Sequence, residues 1–434
     1  MAEDPKTVSA IEGTEIYRWC VDLFPICRSI TGKGVRQTLE YYKGIVPELS
    51  LLSLPTGTEV FDWAIPQEWI VRDAFIEHDS GQRFAEFKKT NLHVLNYSAP
   101  LDKSVGKAEL ADYIWVQDDQ PDRIPYVTSY YDRRSGFCLS RKEYESLPSG
   151  SYHLYIDSEH VDGQLDMAEL IIEGRSKQEI LISSYVCHPS MANNELSGPS
   201  LAIGLAKYIK SLGGDHHYTY RFVLVPETIG ALAYLSLRLE DMQAATVAGF
   251  VLSCVGDDGD YSSVASRSGE TLADQALFAS LRSRERHKQY SFLHRGSDER
   301  QYCAPGVDLP VACFCRTKFG EFPEYHTDAD DLDFISPGGL QGAFDVMREI
   351  IEAFEAGLYP KTTTIGEPQF GRRGLRSTIG KKEAYFEGIY KLCSDVVAYA
   401  DGKTSIFEMS RIFGVDLAKT TSCVRLLKQN DLLV

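Results

Sequence analysis

The sequence contains no apolar run that approaches the ~20 residues needed to cross a bilayer as a helix, which excludes a membrane-spanning helix. Residues 1–6 are acidic overall and are not a positive region followed by an apolar stretch, so no secretory signal peptide is expected. We therefore predict a cytoplasmic protein that has no membrane partner.

Paired cysteine motifs are also missing. The 10 cysteines are scattered along the chain, and no two have the spacing of a zinc ribbon or a redox pair. This scatter does not support a disulfide framework. We expect most of the cysteines to be reduced core residues, because a free cysteine packs as a small hydrophobe.

Positive charge is scarce: 45 Lys and Arg residues face 62 Asp and Glu residues, which gives a net charge of −17. Neutralisation of phosphates supplies most of the affinity for nucleic acids, so nucleic acid is not expected as a partner. The net charge does not exclude a local basic surface, since the stretch 417–430 carries Lys419, Arg425 and Lys428. These are too few to favour a DNA reader, and an interaction role such as homo-oligomerisation is preferred.

The 434 residues are too many for one hydrophobic core and predict two to three domains. From residue 168 the pattern alternates between strands and helices, which predicts an α/β domain whose sheet is covered by helices on both faces. The predicted strands are 168–172, 180–185, 221–225, 249–255 and 309–315. The predicted helices are 199–212, 229–240, 271–282 and 338–356.

The regions around this domain have a different character. Residues 46–167 hold short β-prone runs between turns rich in Pro, Gly and Asp, which predicts an inserted β-rich domain. One of these runs, 91–95, is interpreted as a strand with His93 as a structural residue. Residues 12–45 are predicted to be helical and to join 168–360 in the α/β domain. Residues 380–434 contain three short helical patterns, at about 383–399, 406–413 and 417–430, and end in an apolar strand at 432–434, which together resemble a winged helix.

Three polar segments follow predicted strands. His188 and Glu227 each stand between a strand and a helix, and His326 lies in the acidic segment 324–333. Open α/β sheets bind their ligands beyond the carboxyl ends of the strands. Glu227 could act there as a general base or merely start a helix. The acidic segment suits either a metal site or a solvated turn.

The order of these segments resembles the zinc-dependent exopeptidase superfamily of leucyl aminopeptidases and glutaminyl cyclases. His188 and the His326 segment match its metal ligands, and Glu227 matches its general base. Further matching positions are residues 193–198, Asp298, Asp330 and Asp333. The resemblance covers about 12–45 and 168–356 and implies a mixed sheet.

Longer motifs at 25–32, 125–131 and 296–302 are similar to those of a bacterial group of aminopeptidase-like proteins. That group has the same inserted domain and C-terminal winged helix, and its members are often described in connection with polysaccharide or secondary-metabolite loci. The likeness implies this three-part layout.

The sequence departs from the superfamily at two metal positions: its bridging Asp falls on Asn194, and its second-metal Glu falls on Thr228. Two zinc ions about 3.5–4 Å apart need a bridging anion, which a neutral amide does not supply. One Zn²⁺ per chain is therefore expected. His188 and His326 are the expected ligands, with Asp257 or Asp258 as the third and Cys254 as a less favoured alternative.

The resemblance implies a metallo-aminopeptidase or amidohydrolase that cleaves an amide bond in a small peptide-like or biosynthetic substrate. Zinc would lower the pKa of bound water towards ~7, and Glu227 would take its proton. Residues expected to support the ligands or contact the substrate are Asn194, Asp298, Arg300 and Asp330. Two alternatives stay open: a metal-poor scaffold with a binding or regulatory role, and an acyl transferase like the glutaminyl cyclases.

Overall fold

The computed structural model describes residues 11–375 and 388–434. Its strands are β1 (Ser50–Pro55), β2 (Glu59–Val60), β3 (Trp63–Ala64), β4 (Glu68–His78), β5 (Arg83–Phe84), β6 (Leu101–Gly106), β7 (Ile114–Trp115), β8 (Phe137–Cys138), β9 (Ser151–Val161), β10 (Gln164–Ile172), β11 (Glu179–Tyr185), β12 (Thr219–Val225), β13 (Thr246–Leu252), β14 (Tyr261–Val264), β15 (His287–Tyr290) and β16 (Val311–Cys315). Its helices are α1 (Gly13–Leu23), α2 (Lys33–Ile45), α3 (Lys107–Leu110), α4 (Arg141–Ser146), α5 (Ser197–Ser211), α6 (Ile229–Ala245), α7 (Leu272–Leu281), α8 (Glu299–Tyr302), α9 (Pro337–Glu355), α10 (Gly388–Tyr399), α11 (Ile406–Phe413) and α12 (Leu417–Gln429). Among these helices, none is both long and apolar enough to cross a membrane.

One 8-stranded sheet, in the order β1-β10-β12-β11-β13-β16-β14-β15, organises the α/β domain. Its central strands β12, β11, β13 and β16 run parallel, whereas β1, β10 and β14 pair in antiparallel fashion with their neighbours β10, β12 and β16. Every residue of β11 and β12 is buried, which is typical of parallel strands covered on both faces. The predicted α/β fold with a covered mixed sheet is confirmed.

The two faces of the sheet have separate apolar cores, because successive side chains of a strand point in opposite directions. In β11, Ile180 and Ile182 pack in a core with residues of α1, α5 and α9. Leu181 and Tyr185 pack in a second core with residues of α6 and of the inserted region. The predicted strands and helices of this domain are all present with shifted ends, and β14 and β15 were not predicted.

The region predicted to be an inserted domain, 46–167, contributes strands to four sheets, of which β2-β3 and β7-β8 are two-stranded. β5, β4, β9 and β6 form a 4-stranded antiparallel sheet of their own. β1, which lies within the same range, instead pairs with β10 at the edge of the large sheet. The strand interpretation of 91–95 is wrong: Asn91–His93 is a short 3₁₀ helix. Thr90 starts it by accepting a hydrogen bond from the backbone N–H of Leu92, and such local bonds compete with strand pairing.

The C-terminal residues form the predicted winged helix. The second predicted helix has the bounds of α11, and residues 383–387 of the first predicted helix lie outside the described residues. The expected final strand is a single bridge, in which Leu433 pairs with Thr362. Arg282, which directly follows the last residue of α7, donates to the carbonyls of Ser410 and Val415, and this ties the C-terminal unit to the α/β domain.

Candidate functional site

Loops that leave the carboxyl ends of the four central parallel strands carry the candidate site. Each of these loops holds a non-glycine residue with positive φ: Ser190 (40°), Thr228 (65°), Cys254 (52°) and His326 (58°). Such backbone conformations cost roughly 1–3 kcal/mol each and cluster at functional sites. The sheet edge that the sequence predicts for ligand binding is therefore also where this protein stores backbone strain.

His188 is buried and held by Glu195. The imidazole Nδ1 lies 3.0 Å from Glu195 Oε2, and the same carboxylate oxygen accepts the backbone N–H of His188 at 2.9 Å. Arg28, which is fully buried, places its Nε 3.2 Å from Glu195 Oε1. With Nδ1 engaged, the remaining ring nitrogen Nε2 lies 3.8 Å from Glu227 Oε2. This is the arrangement by which a carboxylate orients a metal-binding histidine.

The pKa of His188 reflects this contact. Burial alone lowers the pKa, but the neighbouring Cys187 and Glu195 outweigh it, and the pKa of His188 lies well above its ordinary value. Burial also raises the pKa of the Cys187 thiol to about 11, so this thiol is neutral near pH 7. The Glu195 carboxylate is therefore the charge that favours the imidazolium form.

His326 faces His188 across the site, with the two ring centroids 5.8 Å apart. Tyr325 stacks on its ring at 3.9 Å. Burial, and then the neighbouring His188, lower the pKa of His326 to about 3, so the ring is neutral near pH 7. Its Nε2 is buried and has no hydrogen-bond partner among the described residues. A buried polar atom of this kind calls for an explanation, and an ion is one of them.

The inserted region supplies one wall of the site. The ring of Tyr126 lies 5.3 Å from that of His188 and 5.2 Å from that of His326. Its backbone N–H donates to the carbonyl of His326 at 2.8 Å, and its hydroxyl lies 2.7 Å from that of Tyr130. We did not single out Tyr126 from the sequence, although it stands in the 125–131 motif.

Glu227 stands at the end of β12 with its side chain 22% exposed. Burial raises its pKa, while His188 and Arg300 oppose the rise. Next in the chain, the backbone N–H of Thr228 donates to Asp298 Oδ1 at 2.8 Å, and the Thr228 hydroxyl accepts from Arg300. Asp298 and Arg300 therefore hold the strained loop that carries Glu227. Burial, and then Glu227, raise the pKa of Asp298 well above its ordinary value.

Comparison with known proteins identifies the family. Residues 17–357 match the family model described as a domain of unknown function, DUF4910, and residues 358–434 match a winged helix-turn-helix model. A candidate polysaccharide biosynthesis protein with an aminopeptidase-like domain, from Clostridium acetobutylicum, is 36% identical over 431 residues, which are 98% of this chain and 97% of that protein. The chain belongs to this aminopeptidase-like family.

Solved structures agree with that assignment. The crystal structure of a candidate peptidase from Clostridium acetobutylicum superposes with a TM-score of 0.89 at 34% identity, covering 97% of this chain and 96% of that one. A zinc aminopeptidase from Bacillus subtilis gives 0.56 at 13% identity over 79% and 95% of the two chains. A peptidase M28 precursor from Shewanella amazonensis gives 0.55 at 12% over 80% and 93%. The last two likenesses show the fold alone, and they confirm the predicted aminopeptidase-like fold.

In this member of the aminopeptidase-like family, the expected third ligand does not join the two histidines. Asp257 accepts hydrogen bonds from Thr317 Oγ1 at 2.6 Å and from Asn193 Nδ2 at 3.0 Å, so both of its oxygens are engaged. Asp258 is exposed on the surface. We compared the His, Cys, Asp and Glu side chains of residues 11–375 and 388–434. One group of three has all its ligand atoms within 4.8 Å of one another, and it consists of Cys187, His188 and Glu195. In that group Glu195 is already paired with Arg28.

Asn194 takes part in a neutral hydrogen-bond network. Its Oδ1 accepts from the hydroxyl of Tyr185 at 2.7 Å, and that hydroxyl also lies 2.8 Å from Ser253 Oγ. Cys254 Sγ lies 3.7 Å from the same Oδ1. An amide, a hydroxyl and a thiol do not supply the bridging anion that two neighbouring metal ions need, so this network does not fit a second metal ion.

Asp330 acts on the backbone of the helix-opening motif. Its two oxygens accept the N–H groups of Asn193 at 2.6 Å and Asn194 at 2.9 Å, at the start of the π-helical turn Ala192–Leu196. Burial raises the pKa of Asp330 to about 7 although these donors lower it. Asp330 therefore supports the segment that carries Glu195.

Proposed function

We propose that the protein is a hydrolase of the aminopeptidase or amidohydrolase type that uses one zinc ion to cleave an amide bond in a small peptide-like or biosynthetic substrate. The observation that carries the proposal is the position of His188, His326 and Glu227 at one end of the parallel strands, with the two imidazole centroids 5.8 Å apart and Glu227 3.8 Å from His188. The Nε2 of His326 is buried without a hydrogen-bond partner among the residues that the structure describes, and a metal ion would satisfy this atom. Two neutral imidazoles and water are ligands that zinc accepts.

The side chains around the zinc would have separate roles. His188 and His326 would hold it, and when bound it would acidify water and polarise the substrate carbonyl. Glu227 lies 3.8 Å from the Nε2 of His188, and its raised pKa suits a group that takes a proton from water and passes it to the leaving amine. His188 would lose its proton on binding the metal, so zinc uptake is expected to release protons.

Metal content tests the proposal directly. The protein would be purified without chelators, and zinc per chain would be measured by elemental analysis for wild type, His188→Ala and His326→Ala. His287→Ala is the matched control because His287 is exposed. About one zinc per chain, lost in the first two variants and kept in the control, supports the proposal. Absence of zinc even after it is added back would contradict it.

A second variant separates the two roles open to Glu227. Catalytic zinc sites have three protein ligands as a rule, and Glu227 is a candidate for the third because it lies 3.8 Å from the Nε2 of His188. Glu227→Gln should keep its zinc and lose amide hydrolysis if Glu227 acts as the base. Loss of zinc in this variant would instead make Glu227 a ligand.

A metal-poor scaffold is the second candidate, and the neutral network around Asn194 favours it. In that protein the Tyr185 hydroxyl would take the place of a metal between Asn194 and Ser253. Such a scaffold would bind its small-molecule partner without turnover. The zinc measurement separates the two candidates.

We propose that the winged helix serves interactions within or between chains rather than nucleic-acid binding. Arg425 of α12 pairs with Glu352 of α9 at 3.2 Å, and Lys419 pairs with Asp416 at 2.8 Å. These cations are thus engaged by carboxylates of the same chain. Fluorescence anisotropy with mixed duplex DNA at low salt should show no tight, salt-sensitive binding.

The free state of all 10 cysteines supports a reducing, cytoplasmic location.

A further inference from the structure

A cleft of about 360 Å³ opens beside His188 and Glu227. The α/β domain lines it with Glu227, Thr228 and Arg300, and the inserted region lines it with Trp63 and Tyr131. This volume lies near the lower end of known small-ligand pockets, so the cleft suits a molecule of one or two amino-acid units.

Arg300 is the one arginine among the residues that line this cleft, and it forms no ion pair with a carboxylate of the described residues. Its guanidinium donates to the Thr228 hydroxyl, which is neutral, and to no carboxylate within the described ranges. Its Nε is buried and has no hydrogen-bond partner there. A guanidinium presents five N–H donors in a planar fork that matches a carboxylate. The free donors of Arg300 therefore call for an anionic group of the ligand.

The same cleft is poorly equipped for a free amine. Recognition of an ammonium group needs an acidic partner, and Glu227 is the acidic residue among those that line the cleft. Glu227 is already assigned to proton transfer in the proposed function. An aminopeptidase substrate with an unblocked N-terminus would therefore lack a partner for its charge.

Two large aromatic side chains line the cleft from the inserted region. Trp63 and Tyr131 pack edge to face with centroids 5.4 Å apart, and they are 36% and 59% exposed. Exposed aromatic pairs of this size supply apolar contact area to a ligand at low conformational cost.

We infer that the substrate is a small N-acyl amino acid, whose carboxylate is bound by Arg300 and whose apolar part packs against Trp63 and Tyr131. This inference rests on the proposed function for the position of the amide beside Glu227. The cleft would then select against free aminoacyl compounds, and Arg300 is the residue that sets this preference.

Binding measured without turnover tests the inference separately from catalysis. Glu227→Gln protein would be titrated calorimetrically, with and without added zinc, using N-acetyl-L-phenylalanine, its neutral carboxamide and L-phenylalaninamide. The anion is expected to bind about 10- to 100-fold more tightly than the neutral amide, and the cationic amide most weakly, because a hydrogen-bonded charge pair has about this strength. If the protein binds no zinc, that result counts against the proposed function. The comparison of the affinities of the three ligands is still valid in that case.

Arg300 variants complete the test. In the same background, Arg300→Met should abolish the preference for the anion, Arg300→Lys should retain part of it, and Arg295→Met at an exposed position should leave it unchanged. Melting curves establish whether each variant is folded. If Arg300→Met does not fold, the loss of part of the preference in Arg300→Lys is the result that tests the inference. Equal binding of the three ligands, tighter binding of the cationic amide, or no binding of any of them would overturn the inference.

Discussion

Glu195 follows His188 by seven residues, yet its carboxylate contacts both the backbone N–H and the Nδ1 of that histidine. The contact depends on the π-helical turn Ala192–Leu196, which precedes α5 and buries Glu195 completely. π-turns of this kind are frequent at functional sites. The turn holds the Glu195 carboxylate against the imidazole of His188. Loss of this carboxylate should therefore change the properties of His188 more than it changes the fold.

We expect Glu195→Gln to lower the pKa of His188 towards its ordinary value, because the carboxylate is the charge that favours the imidazolium form. Zinc affinity should fall about 10- to 100-fold, as is usual when the residue that orients a metal-binding histidine is lost. NMR titration of labelled histidine and a chelator competition assay measure the two effects. Glu173→Gln, at an exposed side chain, is the control, and an unchanged His188 pKa would contradict the assignment.

Arg28 is the other half of this support. Its Nε donates to the carbonyl of His188 at 2.9 Å, and its Nη1 donates to that of Leu23 at 2.9 Å. Arg28→Met would break the buried ion pair and leave His188 as the remaining cationic partner of the Glu195 carboxylate; breaking a buried pair typically destabilises a protein by about 3–5 kcal/mol. Calorimetric melting should show a clearly lower Tm than for Arg18→Met, a substitution at an exposed arginine.

A double variant shows whether that loss arises from the ion pair. Arg28→Met combined with Glu195→Gln should destabilise less than the sum of the two single substitutions, because residues in contact are not additive. Simple additivity would mean that Arg28 stabilises the fold through its backbone contacts alone.

Asp330 should make stability depend on pH. Its folded pKa of about 7 lies above the unfolded value of about 3.9, so the folded state holds an extra proton between these values. This group's contribution to the free energy of unfolding is therefore present at low pH and declines by a few kcal/mol as pH rises from about 4 to 7. Asp330→Asn keeps one acceptor and cannot titrate. Its Tm relative to wild type should rise between pH 5 and pH 7.5, and a constant difference would contradict the shift.

The sequence was sufficient to predict the α/β fold because β11 and β12 are continuous apolar runs, and these are characteristic of buried parallel strands. The positions of His188 and Glu227 follow from the strands that precede them. Edge strands such as β14 and β15 were missed since they are short, and β15 is largely exposed, so they lack an apolar pattern.

The third ligand and the supporting contacts could not be predicted in the same way. Asp257 stands near the end of β13, where a ligand is expected, but the turn after this strand directs its oxygens to Thr317 and Asn193. Arg28 and Tyr126 reach the site from 160 residues upstream of His188 and from the inserted region. Neither residue has a local sequence pattern that relates it to His188. Their positions in the motifs 25–32 and 125–131 are the only sequence signals that pointed to them.

The close approach of α9 to the loop after β13 gives the last prediction. A Cβ placed on Gly339 would lie 2.1 Å from the carbonyl oxygen of Gly256, whereas a Cβ on the neighbouring Gly338 would meet only side-chain atoms at 3.5 Å. Gly339→Ala must therefore displace backbone that leads to Asp257, and such overpacking costs about 1–3 kcal/mol or more. Gly338→Ala should change stability little or raise it slightly, because alanine is the better helix former. Paired melting curves measure both, and equal Tm values for the two variants would show that the loop moves without cost.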